Sequence, residues 1–105
     1  MIIILGRVEV DPTRLQALKP ALQDMMRATF EESGCLSYSL AIEDEGGDGR
    51  PAVVNIAERW SSPEDLVSHG KSAHMAAFNK AIAGAVWSLD ARMFDASNER
   101  PLKLG

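Results

Sequence analysis

Two histidines, His69 and His74, are the side chains of this 105-residue chain whose ordinary pKa lies nearest neutrality. A histidine pair suggests a proton acceptor or two ligands of a metal ion. On one continuous helix a five-residue step turns the side chain through about 140°, so the two rings are not expected to share a face. Gly70 between them marks a break, and no metal site is expected. Glu58, Arg59 and Trp60 close a β-branched run, where alternation sets Glu58 and Trp60 on one face and Arg59 with Asn55 on the other. A charged residue late in such a run needs a partner, and Arg7 or Arg92 on a neighbouring strand is the expected one. Trp60 is suited either to plugging the core or to walling an aromatic-binding pocket. Tyr38 alternates with Leu36 and Leu40, which places its phenol at the rim of the core. Met25, Met26 and Met75 fall at helical spacing and fill the core first, an adaptable pocket second.

Other chemistry is excluded by what the sequence lacks. It has no Gly-rich phosphate loop, no nucleophile elbow and no paired-cysteine motif. Cys35 stands alone, so no internal disulfide can form, and no basic neighbour in sequence activates its thiol.

The elements that must position these residues are legible in order. Ile2 to Val10 is a β-branched strand ending at Asp11-Pro12, a helix start. A helix is expected over 12–32, with Leu15, Leu18, Leu22, Met25, Met26 and Thr29 as its buried stripe and Pro20 as a possible kink. Gly34 stops it. Cys35 to Glu43 alternates as a strand, 44–51 is a polar loop, and Ala52 to Trp60 completes a hairpin. Ser61-Ser62-Pro63-Glu64-Asp65 opens a helix running to about His69. Gly70 divides it from a second piece over 72–83, and a last strand covers 87–96. The order is βαββαβ, the α+β ferredoxin-like arrangement, a four-stranded antiparallel sheet with helices on one face. A single domain over 1–96 with a polar tail over 97–105 is expected.

Apolar residues make up 46% and charged ones 25%, the balance of a globular domain rather than a disordered chain. The net charge of -4, without clustered Lys or Arg, removes the footprint of a nucleic-acid binder. The longest apolar run, Met1 to Leu5, is too short to span a bilayer, so a cytoplasmic protein without a membrane partner is expected. Ile2, Ile3, Ile4 and Leu5 make the first strand apolar on both sides while helices cover only one. A homodimer packed sheet to sheet would cover the other.

The run Glu32-Ser33-Gly34-Cys35-Leu36-Ser37-Tyr38, the strand end Glu58-Arg59-Trp60, then Ser62-Pro63-Glu64-Asp65-Leu66, His69, Ser72, His74 and Phe78 resembles the antibiotic biosynthesis monooxygenase family, from Met1 to about Phe94. The resemblance implies a dimeric α/β barrel with a hydrophobic pocket in each subunit. It also implies oxidation of a small aromatic phenol, quinol or anthrone by molecular oxygen with no cofactor, metal or flavin. On that basis Trp60, Tyr38, Met75 and Phe78 would line the pocket, His69 or His74 would accept a proton, and Arg59, Asn55 or Arg7 would steady the substrate anion. A haem-degrading branch of the superfamily fits less well: Gly6 stands where its strand asparagine is sought and Asn79 where its iron-binding histidine is. A small-molecule-binding dimer without turnover is the alternative of a different class.

Overall fold

In the computed structural model, which describes residues 1–105, the chain forms β1 (Ile2–Val10), α1 (Leu15–Phe30), β2 (Cys35–Asp44), β3 (Ala52–Trp60), α2 (Pro63–Gly70), α3 (Ala73–Ile82) and β4 (Val86–Asp95). The four strands make one antiparallel sheet in the order β2-β3-β1-β4. This is the α+β ferredoxin-like architecture that the sequence pattern predicts, with its second helix in two pieces.

The start of α1 differs from expectation in one respect. Asp11 Oδ1 accepts from the Thr13 N–H at 2.9 Å and from its hydroxyl at 2.7 Å, and this cap winds Pro12–Arg14 as a 3-10 turn, so the α-helix begins only at Leu15. Pro20 does not interrupt it. A proline lacks one backbone donor, but the turns on either side keep theirs. Leu15, Leu18, Leu22, Met25 and Thr29 are buried along one stripe. All but Thr29 join Ile2, Val10, Tyr38, Leu40, Val54 and Trp60 in one core.

The break between α2 and α3 is built by Ser72. Its hydroxyl donates to the His69 carbonyl at 2.7 Å and accepts from the Met75 N–H at 3.2 Å, ending one helix and capping the next within three residues. Helix α1 packs on β2, α2 on β3, and α3 on α1.

Strand register decides which side chains meet. Ile4 pairs with Glu58 and Met93, and Val8 with Val54 and Leu89, so all six face the helices. Leu89 and Met93 remain more than half exposed there. The opposite face is more polar than the first strand's opening residues suggest, because alternation resumes after Leu5. Arg7 donates to Glu43 at 3.3 Å, Asn55 donates to the same carboxylate at 2.8 Å, and Arg59 donates to Ser37 Oγ at 3.0 Å and to Glu99 at 2.8 Å. Apolar surface on this face is concentrated at one end, where Ile3 pairs with Phe94 beside Leu5. No helix of the structure is long and apolar enough to cross a membrane.

Candidate functional site

The gap between the sheet and α2 and α3 is a cavity of about 420 Å³, walled mainly by apolar side chains such as Ile4, Val8, Val54, Leu66, Met75 and Phe78. Four polar side chains reach its wall: Tyr38, Glu58, His69 and Asn79. A mostly apolar hollow of this size with a few convergent polar groups is the usual form of a small-molecule site.

Glu58 sits in β3 opposite Tyr38 in β2, with both side chains turned inward. The Trp60 indole N–H donates to Glu58 Oε1 at 2.8 Å. Burial pushes the Glu58 carboxyl above its usual range, opposed by the indole N–H and by the nearby His69. The Tyr38 phenol is pushed far above its ordinary value, first by burial and then by the carboxylates of Glu58 and Glu32. Tyr38 therefore stays neutral at any working pH.

His69 is buried at the end of α2, its ring 4.9 Å from the Trp60 indole and 5.3 Å from the Tyr38 ring between centroids. Its Nδ1 lies 2.6 Å from Glu32 Oε2. His74 brings its Nε2 to 2.9 Å from the same oxygen. A carboxylate only accepts, so each imidazole donates through the nitrogen named. With Nδ1–H given to Glu32, a neutral His69 ring would leave the lone pair of its Nε2 available.

The meeting of Glu32 with α2 depends on the turn after α1. Gly34 adopts φ +85°, and a Cβ there would lie 2.2 Å from Asp65 Cγ. Only glycine suits both demands. Its carbonyl accepts from the Ser61 N–H at 2.9 Å. The hydroxyls of Ser61 and Ser62 donate to Asp65 Oδ2 at 2.7 and 2.8 Å, and the Asp65 N–H returns to Ser62 Oγ at 3.2 Å. These contacts dock the first turn of α2 against the turn that carries Glu32.

The structure sorts the residues singled out from sequence. His69, Tyr38, Met75 and Phe78 line the cavity. Trp60 does not line it: fully buried, it stands behind Glu58 and His69 and supports both. His74 opens onto a separate, smaller hollow between α1 and α3. Arg7, Asn55 and Arg59 lie on the other face of the sheet, tied to Glu43, Ser37 and Glu99, and do not reach the cavity. The expected pairing of Glu58 with Arg7 or Arg92 is replaced by its bond to Trp60, because Arg7 faces away and Arg92 folds onto Asp90 at 2.8 Å. The two histidines were expected to diverge, yet the break at Ser72 turns them onto one carboxylate oxygen. Sequence reasoning missed Glu32, Glu58 and Leu66 as site residues. Glu58 was visible as an acid in phase with Trp60, whereas Glu32 carried no local signal. Cys35 stays a thiol, since burial and the carboxylates of Glu32 and Glu58 raise its pKa.

Comparison with known proteins adds a family. Residues 1–81 match the family described as Antibiotic biosynthesis monooxygenase. No curated protein sequence matches the chain significantly. Among solved structures, a Nitrosomonas europaea protein provisionally described as an antibiotic biosynthesis monooxygenase superposes with a TM-score of 0.79 at 14% identity, over 91% of this chain and 98% of that one. Rv0793 from Mycobacterium tuberculosis gives a TM-score of 0.76 at 24% identity, over 95% and 98%. A conserved Bacteroides thetaiotaomicron protein described as a possible oxidoreductase gives 0.73 at 25% identity, over 89% and 94%.

Proposed function

The chain belongs to the antibiotic biosynthesis monooxygenase family, and on that premise we propose that it is a cytoplasmic homodimer whose cavity oxidises a small phenol, quinol or anthrone-type compound with molecular oxygen, without a cofactor. The observation that carries this is the cavity itself, apolar except for Tyr38, Glu58, His69 and Asn79, with one imidazole whose Nδ1–H is fixed on Glu32.

The chemistry needs little else. A hydroquinone plus O2 gives a hydroxyquinone and water, and an anthrone plus O2 gives an anthraquinone and water. In both cases the substrate supplies all four electrons, one oxygen atom enters the product and the other leaves as water. The protein has to remove a proton, so that an electron-rich anion meets oxygen, and to keep bulk water away. His69 Nε2 is the acceptor we assign, because Glu32 stabilises the imidazolium that forms. Tyr38, as a neutral phenol, and Glu58 would orient the substrate hydroxyls, while Met75 and Phe78 pack its ring.

The dimer is proposed from two uncovered apolar regions, the end of the outer sheet face at Leu5 and Phe94 and the inner face of β4 at Leu89 and Met93.

Oxygen uptake with a panel of hydroquinones and anthrones, in chelator-treated buffer, tests the activity. Uptake by the native protein that falls on His69→Ala is the expected result. Saturable binding of the same compounds without uptake would mark a binding domain instead.

A further inference from the structure

Glu32 Oε2, His69 Nδ1 and His74 Nε2 all lie within 4.8 Å of one another. Two imidazoles and one carboxylate are a donor set that borderline divalent cations of the zinc type accept, with water filling the fourth position. Tetrahedral bonds of about 2.0–2.1 Å would hold the three donor atoms roughly 3.3 Å apart. The contacts to Glu32, 2.6 and 2.9 Å, must therefore open by about half an ångström. Glu32 lies in the turn that follows α1, where side-chain rotation can withdraw its oxygen, and the two imidazole nitrogens, which lie within 4.8 Å, have to settle at the same spacing by rotation of their rings. Access favours the same conclusion: the side chains of Glu32 and His74 are 17% and 26% exposed, whereas that of His69 is 5% exposed. A cation can thus arrive from the His74 side without entering the cavity.

We infer that Glu32, His69 and His74 form a binding site for one divalent cation of the zinc type, behind the cavity rather than in it. Binding moves the proton of His69 from Nδ1 to Nε2 without releasing it, because a neutral imidazole that gives Nδ1 to a metal carries its hydrogen on the other nitrogen. Nε2 then offers the cavity a donor in place of an acceptor, and proton removal from the substrate stops. This consequence rests on the role proposed above for His69, but the site does not.

The test uses the untagged full-length protein, stripped with a chelator and titrated with zinc chloride by calorimetry and with cobalt(II) chloride by visible absorption. One equivalent of zinc per chain, intense cobalt bands of low coordination number, and at least a tenfold or so weaker affinity in His74→Ala and Glu32→Gln are expected. The absence of saturable zinc uptake by the native chain, or equal uptake by the native chain and His74→Ala, overturns the proposal. The cobalt spectrum of the native protein decides the matter even where a variant fails to fold. Zinc bound stoichiometrically by a protein that shows no oxygen uptake under chelation would remove the catalytic role and leave the site. Uptake without zinc binding would do the reverse.

Discussion

Trp60 donates its indole N–H to Glu58 at 2.8 Å from two residues further along the same strand. The strand period puts both side chains on the inner face, and the indole then continues beneath the His69 ring, 4.9 Å between centroids. One fully buried residue thus orients two of the polar groups that reach the cavity while touching none of its space. The carboxyl of Glu58 is tolerable among apolar neighbours because one of its oxygens is bonded and burial has already raised its proton affinity.

Trp60→Phe keeps an aromatic ring but removes the donor. We expect it to lower stability by roughly 2–4 kcal/mol, from lost volume and from the unpaired carboxyl. Paired with Glu58→Leu, which removes the acceptor, in a double-mutant cycle, it should show a coupling of about 1–3 kcal/mol in urea unfolding. A coupling near zero would mean that the bond contributes nothing to the fold.

The histidines should separate in kinetics. His69→Ala removes the group that lines the cavity and should lower kcat/KM for oxygen uptake by about a hundredfold or more. Glu32→Gln leaves the imidazole in place without its counter-charge, and a drop of about tenfold is expected. His74→Ala, which opens onto a different hollow, should fall below that. An oxygen electrode with one hydroquinone orders the three, and a larger loss for His74→Ala than for His69→Ala would reverse the assignment.

Local pattern carried most of the fold and part of the site. β2 and β4 announced themselves by alternation, β1 and β3 by their β-branched runs, the helix starts by Asp11 and Ser62, and the break by Gly70, because each of these depends on neighbours in sequence. The inward face shared by Glu58 and Trp60 was readable for the same reason. What local pattern does not carry is the joining of Glu32 to His69 and His74, which are separated from it by 37 and 42 residues. That contact is decided by how α2 docks on the turn after α1. Helical geometry at about 100° per residue separated the histidines only as long as the helix was continuous, and the Ser72 cap removed that premise. Arg7, Asn55 and Arg59 were attractive anion partners by charge, yet their phase along the strands sends them to the far side of the sheet.

Gly34→Ala tests the docking. A side chain there meets both a left-handed φ of +85° and the Asp65 side chain, with a Cβ to Cγ approach of 2.2 Å. We expect at least about 1–3 kcal/mol of destabilisation from the backbone alone, together with reduced oxygen uptake as Glu32 shifts from His69. Native stability in this variant would show that the turn is not what fixes α2.

The acid limb of the stability curve should report Asp65. Hydrogen bonds from the Ser61 and Ser62 hydroxyls hold its carboxyl below the usual aspartate range. As pH falls, the unfolded chain takes up this proton before the folded one. The stabilisation is therefore complete above the unfolded aspartate range and is lost as pH falls through the folded value. The advantage of the native protein over Asp65→Asn in thermal unfolding should be constant from about pH 7 to 5 and shrink below about pH 4. An advantage that grows on acidification would contradict the direction of the shift.

Association should respond to the end of the sheet where apolar side chains face outward. Leu5 is half exposed, and so is Phe94, the register partner of its neighbour Ile3. Burying such residues against a second copy contributes about 25 cal/mol for each square ångström removed from water, and a two-fold axis counts every contact twice. A charge there is removed from water twice as well. Leu5→Glu should therefore shift a dimer toward monomer in sedimentation velocity at low micromolar concentration, while Leu104→Glu, in the exposed tail, should leave it unchanged. Because Leu5 points away from the cavity, the monomeric variant should still bind substrate if each cavity is complete within its own chain, and lose binding if β4 of a neighbour is needed to close it. A native protein that sediments as a monomer at the same concentration would remove the dimer altogether.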